Sequence, residues 1–166
     1  MGIHVHENCL HMARREDGTP WWTAFPEPKS DPNRIEPAEV LNLLERHQNQ
    51  EGISPRDFLL VDARRTDCKG GTVSSSLNMP AHSFYPTRQT VYELCKQAGI
   101  KRIIFYCGQS NGRGPRCAAW MQDYIDDVGG EIQSQVMTGG IRGWVATYGR
   151  RMVDSYDAKA WEEDTT

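Results

Sequence analysis

The sequence predicts an α/β fold with a parallel β-sheet, on three observations. Residues 58–61 form a continuous apolar run, which is typical of a strand buried on both faces of a parallel sheet. Strand-like runs alternate with helical patterns along the chain, as in folds whose parallel strands are joined by helices. Asp62 and Arg64 follow the run 58–61, at the strand end where open α/β sheets bind their ligands.

Residues 1–34 are expected to form an N-terminal tail and a proline-rich arm. Trp21, Trp22 and Phe25 open a segment rich in proline, a composition typical of extended chain that runs over a surface. The tryptophans suit a binding face, but packing of the arm against the core accounts for them more simply.

The first elements of the domain follow this arm. A short strand is expected at Ile35, and Pro37 begins a helix that extends to about residue 47. The buried strand 58–61 then ends at Asp62 and Arg64. Their position qualifies both as site residues, although an internal ion pair that pins the loop is the simpler role.

A short edge strand is predicted at residues 77–80, and a helix at about residues 86–98. The helix has an apolar stripe at i, i+3, i+4 and i+7, formed by Val91, Leu94, Cys95 and Ala98. Cys95 is therefore expected to be a core residue.

The remaining strands are predicted at residues 102–106 and 132–137. Between them lies a helix with one apolar stripe that includes Cys117 and ends at the glycine pair 129–130. A glycine-rich turn after the last strand opens a short helix with Trp144 and Val145 buried. Residues 151–166 are expected to form an acidic tail.

The composition argues against several classes of function. The net charge of −3, from 19 basic and 22 acidic residues, gives no reason to expect nucleic acid or an acidic membrane as a partner. No apolar run approaches the length of a membrane span. The five cysteines are odd in number and lack CxxC spacing, which favours the cytoplasm or nucleus over a disulfide framework or zinc site. Four potential metal ligands near the N-terminus also have a spacing that matches no known ligand set: His4, His6, Cys9 and His11.

The chemistry is expected in the loop that follows strand 102–106, between Cys107 and Arg113. In a Cys-x5-Arg loop closed by a helix N-terminus, backbone N–H groups can point inward and form an anion-binding nest. The guanidinium of Arg113 can bind two oxygens of a tetrahedral anion, and the same positive field favours the nucleophilic thiolate form of Cys107. The residues expected to bind the oxyanion are Gly108, Gln109, Ser110, Asn111 and Gly112.

Five separated segments resemble the rhodanese-like domain family in order and spacing. They are Val61-Asp62-Ala63-Arg64, Gly70-Gly71, Asn78-Met79-Pro80, Phe105-Tyr106-Cys107 and Gly139-Gly140-Ile141-Arg142-Gly143-Trp144. The resemblance covers about residues 35–150 and implies a three-layer fold, with a central five-stranded parallel sheet and helices on both faces. It also implies a catalytic cysteine, here Cys107, at the end of the fourth strand.

Loop length divides the chemistry within that family. Cys107 through Arg113 makes a seven-residue loop, which resembles that of the eukaryotic arsenate reductases and of the phosphatases that activate cyclin-dependent kinases. This loop lacks the carboxylate of those phosphatases, and Ala63 stands where they carry a second cysteine. Both departures favour an arsenate reductase or a small fungal-type relative over the cell-cycle phosphatases. Many relatives have histidine at the position of Tyr106, a difference that favours neither group.

The resemblance implies reduction of arsenate to arsenite, with glutathione as co-substrate, glutaredoxin as a protein partner and no tightly bound cofactor. The alternatives are a tyrosine or dual-specificity phosphatase that acts on a phosphoprotein through a phosphocysteine, a thiosulfate sulfurtransferase, and a non-catalytic binding module. A phosphatase needs a proton donor, for which Asp62 is the nearest candidate. Cys68 is a candidate to resolve oxidised Cys107, whereas Cys117 is expected in the core.

Overall fold

The structure is a computed structural model that describes residues 14–49 and 55–162. Within these ranges the strands are β1 (Asn33–Ile35), β2 (Phe58–Asp62), β3 (Thr72–Val73), β4 (Leu77–Asn78), β5 (Arg102–Tyr106), β6 (Gln133–Met137) and β7 (Val153–Asp154). The α-helices are α1 (Pro37–Asn49), α2 (Ala81–Gln97), α3 (Arg113–Asp127), α4 (Gly140–Tyr148) and α5 (Ala158–Glu162), and a short 3-10 helix covers Trp21–Ala24.

Five strands form one parallel sheet in the order β1-β6-β5-β2-β4, which confirms the predicted sheet. The central strand β5 pairs with β2 from Phe58 opposite Arg102 to Asp62 opposite Tyr106. Both strands therefore end at the same level of the sheet. The loop that follows Tyr106 lies beside the loop that follows Asp62, and this adjacency positions the site.

Helices cover both faces of the sheet because side chains alternate along its buried strands. On β5, Ile103 and Phe105 pack into a cluster with α2 and α3, whereas Ile104 and Tyr106 pack into a second cluster with α1 and α4. The three-layer architecture predicted from the resemblance is confirmed. No helix in the described ranges has the length and apolarity that crossing a bilayer requires.

The N-terminal arm packs against α3, as expected. The indole of Trp120 donates to the Pro26 carbonyl at 2.8 Å, and the Asp123 carboxylate accepts from the backbone N–H groups of Lys29 and Ser30. Trp21 is 8% exposed and lies with its ring centroid 6.1 Å from that of Trp120. The residues that precede position 14, which include the N-terminal histidine group, lie outside the described residues.

The helix expected at residues 86–98 begins earlier, at Ala81, and contains Pro86 in its interior. Ala81 and Phe84 are buried, so packing against the sheet outweighs the preference of proline for the first turn. The predicted stripe is also partly wrong. Leu94 is 59% exposed, whereas Tyr92, which is not part of the predicted stripe, is buried.

The expected acidic tail is folded onto the domain between residues 151 and 162. Strand β7 pairs antiparallel with β3, and the indole of Trp161 in α5 donates to the Gly70 carbonyl at 2.9 Å. Strands of two residues are too short for a periodic signal, so the pattern of side chains could not predict this second sheet. Val145, expected to be buried, is only half-buried.

Candidate active site

Cys107 follows β5 directly and lies at the base of the seven-residue loop, with 4% of its surface exposed. The strand end is held from the side by the N–H of Ala63, which donates to the Tyr106 carbonyl at 2.8 Å. Helix α3 returns so close to this point that a Cβ on Gly114 would lie 3.1 Å from Tyr106 and 3.2 Å from the Cys107 nitrogen. The absence of a side chain at Gly114 therefore lets the loop close tightly.

Helix α4 orients the first peptide groups of the loop. The N–H groups of Ile141 and Arg142 donate to the carbonyls of Cys107 and Gly108, at 3.0 and 2.9 Å. In a trans peptide the C=O and the following N–H point in opposite directions. Because these two carbonyls face α4, the N–H groups of Gly108 and Gln109 point away from that helix.

The loop amides are available to an anion. Within the described part of the chain, none of the N–H groups of residues 108–112 donates to a protein acceptor. Gly112 precedes α3 and provides no side-chain cap for its first turn. Unpaired amides beside a helix N-terminus carry partial positive charge, and such groups can bind an oxyanion.

Ser110 closes the loop on itself. Its backbone has φ +54°, a left-handed conformation that is unfavourable for residues other than glycine. The residue is fully buried, and its hydroxyl oxygen accepts from the Cys107 N–H at 3.4 Å. Strain of this kind persists only where surrounding contacts impose it, and it concentrates at functional sites.

Arg113 is paired with a carboxylate from the neighbouring loop. Its two terminal nitrogens donate to the Oδ1 and Oδ2 atoms of Asp67, at 2.7 and 2.5 Å. The hydrogen bond to Asp67 raises the pKa of Arg113 above its ordinary value. Burial acts to raise the pKa of Asp67, but its hydrogen bond and charge pairing with Arg113 outweigh burial and hold that pKa low. Both groups are therefore charged at neutral pH.

Sequence reasoning missed Asp67. The available signal was its place in the loop after β2, whose carboxyl end lies beside that of β5. The predicted ion pair between Asp62 and Arg64 is present and fully buried. Arg64 donates to the Asp62 carboxylate through its backbone N–H, Nε and Nη2.

Arg64 also shapes the loop that carries Asp67. Its Nη1 donates to the Asp67 carbonyl at 3.2 Å and its Nη2 to the Gly71 carbonyl at 2.6 Å. The proton-donor role of Asp62 stays a prediction, and the surroundings of this residue do not favour it. Its carboxylate is inaccessible and is occupied by Arg64 and by the Thr72 hydroxyl.

The other cysteines differ sharply in exposure. Cys117 is fully buried, and burial raises its pKa far above the ordinary value, so it stays a neutral thiol as expected of a core residue. Burial likewise raises the pKa of Cys95 to about 11. Cys68 is exposed and follows Asp67 in the chain; its role in resolving oxidised Cys107 stays a prediction. No group of three or more His, Cys, Asp or Glu in the described ranges is placed to hold a metal ion.

Arg113→Lys is expected to weaken oxyanion binding about 100-fold, because an ammonium cannot bind two oxygens in a fixed plane. The matched control is Arg116→Lys on the same helix, where the arginine pairs with Glu27 at 2.8 Å. Equilibrium binding of inorganic phosphate measures both variants. Equal effects of the two substitutions would contradict a special role for Arg113.

Comparisons with known proteins identify the family of this chain. The family model described as "Rhodanese-like domain" matches residues 36–147. The curated relative "Arsenical-resistance protein 2" of Saccharomyces cerevisiae is 25% identical over 97 residues, which are 54% of this chain and 75% of the yeast protein.

Two solved structures share the fold. The As-Sb reductase from Leishmania major superposes with a TM-score of 0.64 at 20% identity, over 74% of this chain and 84% of that chain. A yeast protein tyrosine phosphatase of the rhodanese family superposes with a TM-score of 0.61 at 22% identity, over 80% of this chain and 99% of that chain. The family model spans more than half of the sequence, so the chain belongs to the rhodanese-like domain family.

Proposed function

We propose that this protein is an arsenate reductase, a thiolate enzyme that acts on a tetrahedral oxyanion. The observation that carries the proposal is the amide-lined loop of residues 107–113, with Cys107 at its base and Arg113 at its end. Unpaired N–H groups and a guanidinium supply donors for several oxygens of one small anion. The sequence similarity to the yeast arsenical-resistance protein supports arsenate as that anion.

In the proposed reaction the Cys107 thiolate attacks arsenic, and one arsenate oxygen leaves as hydroxide or water to give a Cys107–S–As(V) adduct. The loop amides and Arg113 stabilise the negative charge on the remaining oxygens. A glutathione thiolate then attacks the Cys107 sulfur and forms a mixed disulfide. The electron pair of the S–As bond passes to arsenic, which leaves as arsenite. Glutaredoxin reduces the mixed disulfide and restores the thiolate.

The carboxylates near the loop favour arsenate over a phosphate ester. Cleavage of an ester requires a proton for the leaving alkoxide or phenoxide. Asp62 is occupied by Arg64, and Asp67 is an ionised carboxylate paired with Arg113. Arsenate carries its own hydroxyl groups, and the hydroxide or water that leaves needs no donor from the protein.

Arsenite formation from arsenate with glutathione and glutaredoxin tests the proposal. We expect turnover by the wild-type protein and a loss of at least about a thousandfold in Cys107→Ser, because the variant lacks the attacking thiolate. Cys68→Ser separates the two possible sources of the second thiol: retained turnover would assign that role to glutathione, whereas lost turnover would assign it to Cys68. If the wild-type protein forms no arsenite, the proposed arsenate reductase activity is refuted.

Phosphatase action is the second candidate, favoured by the fold likeness that covers 99% of the yeast phosphatase chain. The same preparations should therefore be assayed with an aryl phosphate. Turnover that is lost in Cys107→Ser, without arsenite formation, would favour the phosphatase. Thiocyanate formation from thiosulfate and cyanide would indicate a sulfurtransferase, and no turnover in any assay would indicate a binding module.

A further inference from the structure

We propose that Asp67 is a positioning residue that holds the Arg113 guanidinium over the loop for side-on binding of the oxyanion. This inference rests on the proposed oxyanion chemistry and adds a residue that the loop itself does not contain. The loop of residues 107–113 contains no carboxylate, and Asp67 supplies one from the loop that follows β2. The charge partner of Arg113 is thus supplied by a separate segment of the chain.

The geometry of the ion pair leaves donors free for substrate. A guanidinium carries N–H groups on Nε as well as on both terminal nitrogens. Asp67 accepts one hydrogen bond from each terminal nitrogen, which is end-on pairing. The Nε–H and the remaining hydrogens of the terminal nitrogens lie along the side edges of the guanidinium plane, away from the end that pairs with Asp67. Arg113 can therefore keep its two hydrogen bonds to Asp67 while a side edge of its guanidinium binds two oxygens of an anion.

Asp67 is itself fixed in place from two directions. Its Oδ1 accepts from the backbone N–H of Arg65 at 2.9 Å, and its carbonyl accepts from Arg64. Arg64 belongs to the fully buried ion pair with Asp62 at the end of β2. A continuous chain of hydrogen bonds therefore connects the sheet to Arg113, and a guanidinium held this way loses little rotational freedom when the anion binds.

The effect of removing Asp67 on oxyanion binding differs in sign between a purely electrostatic role and a positioning role. A carboxylate near an anion site repels the anion, so its removal should strengthen binding if Asp67 acts only through charge. Positioning predicts that its removal weakens binding despite the gain of one positive charge. The sign of the change therefore separates the two roles.

The experiment measures how inorganic phosphate protects Cys107 from alkylation by iodoacetamide, at constant ionic strength. Phosphate is a tetrahedral oxyanion that Cys107 does not reduce. Mass spectrometry of the tryptic peptide 103–113, which contains Cys107 as its only cysteine, reports the rate. The variants are Asp67→Asn and the matched control Glu27→Gln. The control removes the carboxylate partner of Arg116 on the same helix and so makes the same change in net charge.

We expect Asp67→Asn to weaken phosphate protection about tenfold, and Glu27→Gln to leave it unchanged or slightly stronger. Asp67→Glu keeps a carboxylate and should bind phosphate more tightly than Asp67→Asn. Protection in Asp67→Asn equal to or stronger than in the wild-type protein would overturn the positioning role, as would equal losses in Asp67→Asn and Asp67→Glu. If phosphate does not protect the wild-type protein, the oxyanion site itself fails, and the proposed function with it.

Discussion

Gly140→Ala is expected to abolish phosphate protection of Cys107 and to destabilise the fold by at least about 2 kcal/mol. A Cβ at this position would lie 2.3 Å from the Cys107 carbonyl oxygen and 2.5 Å from that of Gly108. These are the two carbonyls that α4 orients, so the helix must move away from the loop. The backbone at Gly140 also has φ +59°, which adds strain for any other residue.

Gly129→Ala is the matched control for this prediction. Gly129 has a similar φ of +62°, but nothing lies within 4 Å of a Cβ built there. We expect this variant to lose about 1 kcal/mol from the left-handed backbone alone, and to bind phosphate normally. Urea denaturation measures stability, and protection of peptide 103–113 measures binding. If both variants behave alike, α4 does not hold the loop in shape.

Arg64→Met is expected to destabilise the protein by about 3–5 kcal/mol, because it leaves a buried carboxylate without its partner. The Asp62 side chain is fully buried, and the Arg64 side chain is only 3% exposed. The substitution also removes the donors to the carbonyls of Asp67 and Gly71. Phosphate binding should weaken as well, since the loop that carries Asp67 loses its anchor.

Arg34→Met provides the reference for removing an arginine from the surface. Arg34 is exposed on strand β1, and its replacement is expected to change stability by no more than about 0.5 kcal/mol. Equilibrium unfolding in urea compares the two variants. A loss in Arg64→Met no larger than that in Arg34→Met would show that the buried pair does not organise the loop.

The sequence predicted those parts of the fold that have a strong local pattern. The strand 102–106 was predicted correctly at both ends, because its short apolar run lies between the basic residues Lys101 and Arg102 and the loop that begins with Cys107 and Gly108. The position of Cys107 at a strand end, before a helix, follows from the same pattern. Asp62 and Arg64 were placed together because both follow a buried strand.

The remaining contacts depend on how separate segments meet. Asp67 reaches Arg113 only because the loop after β2 folds around the Arg64 guanidinium, and no short motif specifies that path. The pairing of β3 with β7 joins segments about eighty residues apart through two residues each. The early start of α2 at Ala81 likewise depends on burial against the sheet rather than on the helix-start signal of Pro86.

The most direct measurement is an NMR titration of the isotope-labelled protein with inorganic phosphate, followed through the backbone amides. We expect the resonances of Gly108 and Gly112 to shift together and to saturate. Those of Gly99 and Gly129, which follow the C-terminal ends of α2 and α3, should stay in place. Loop amides that remain unchanged while phosphate shifts resonances elsewhere would contradict an oxyanion site at Cys107.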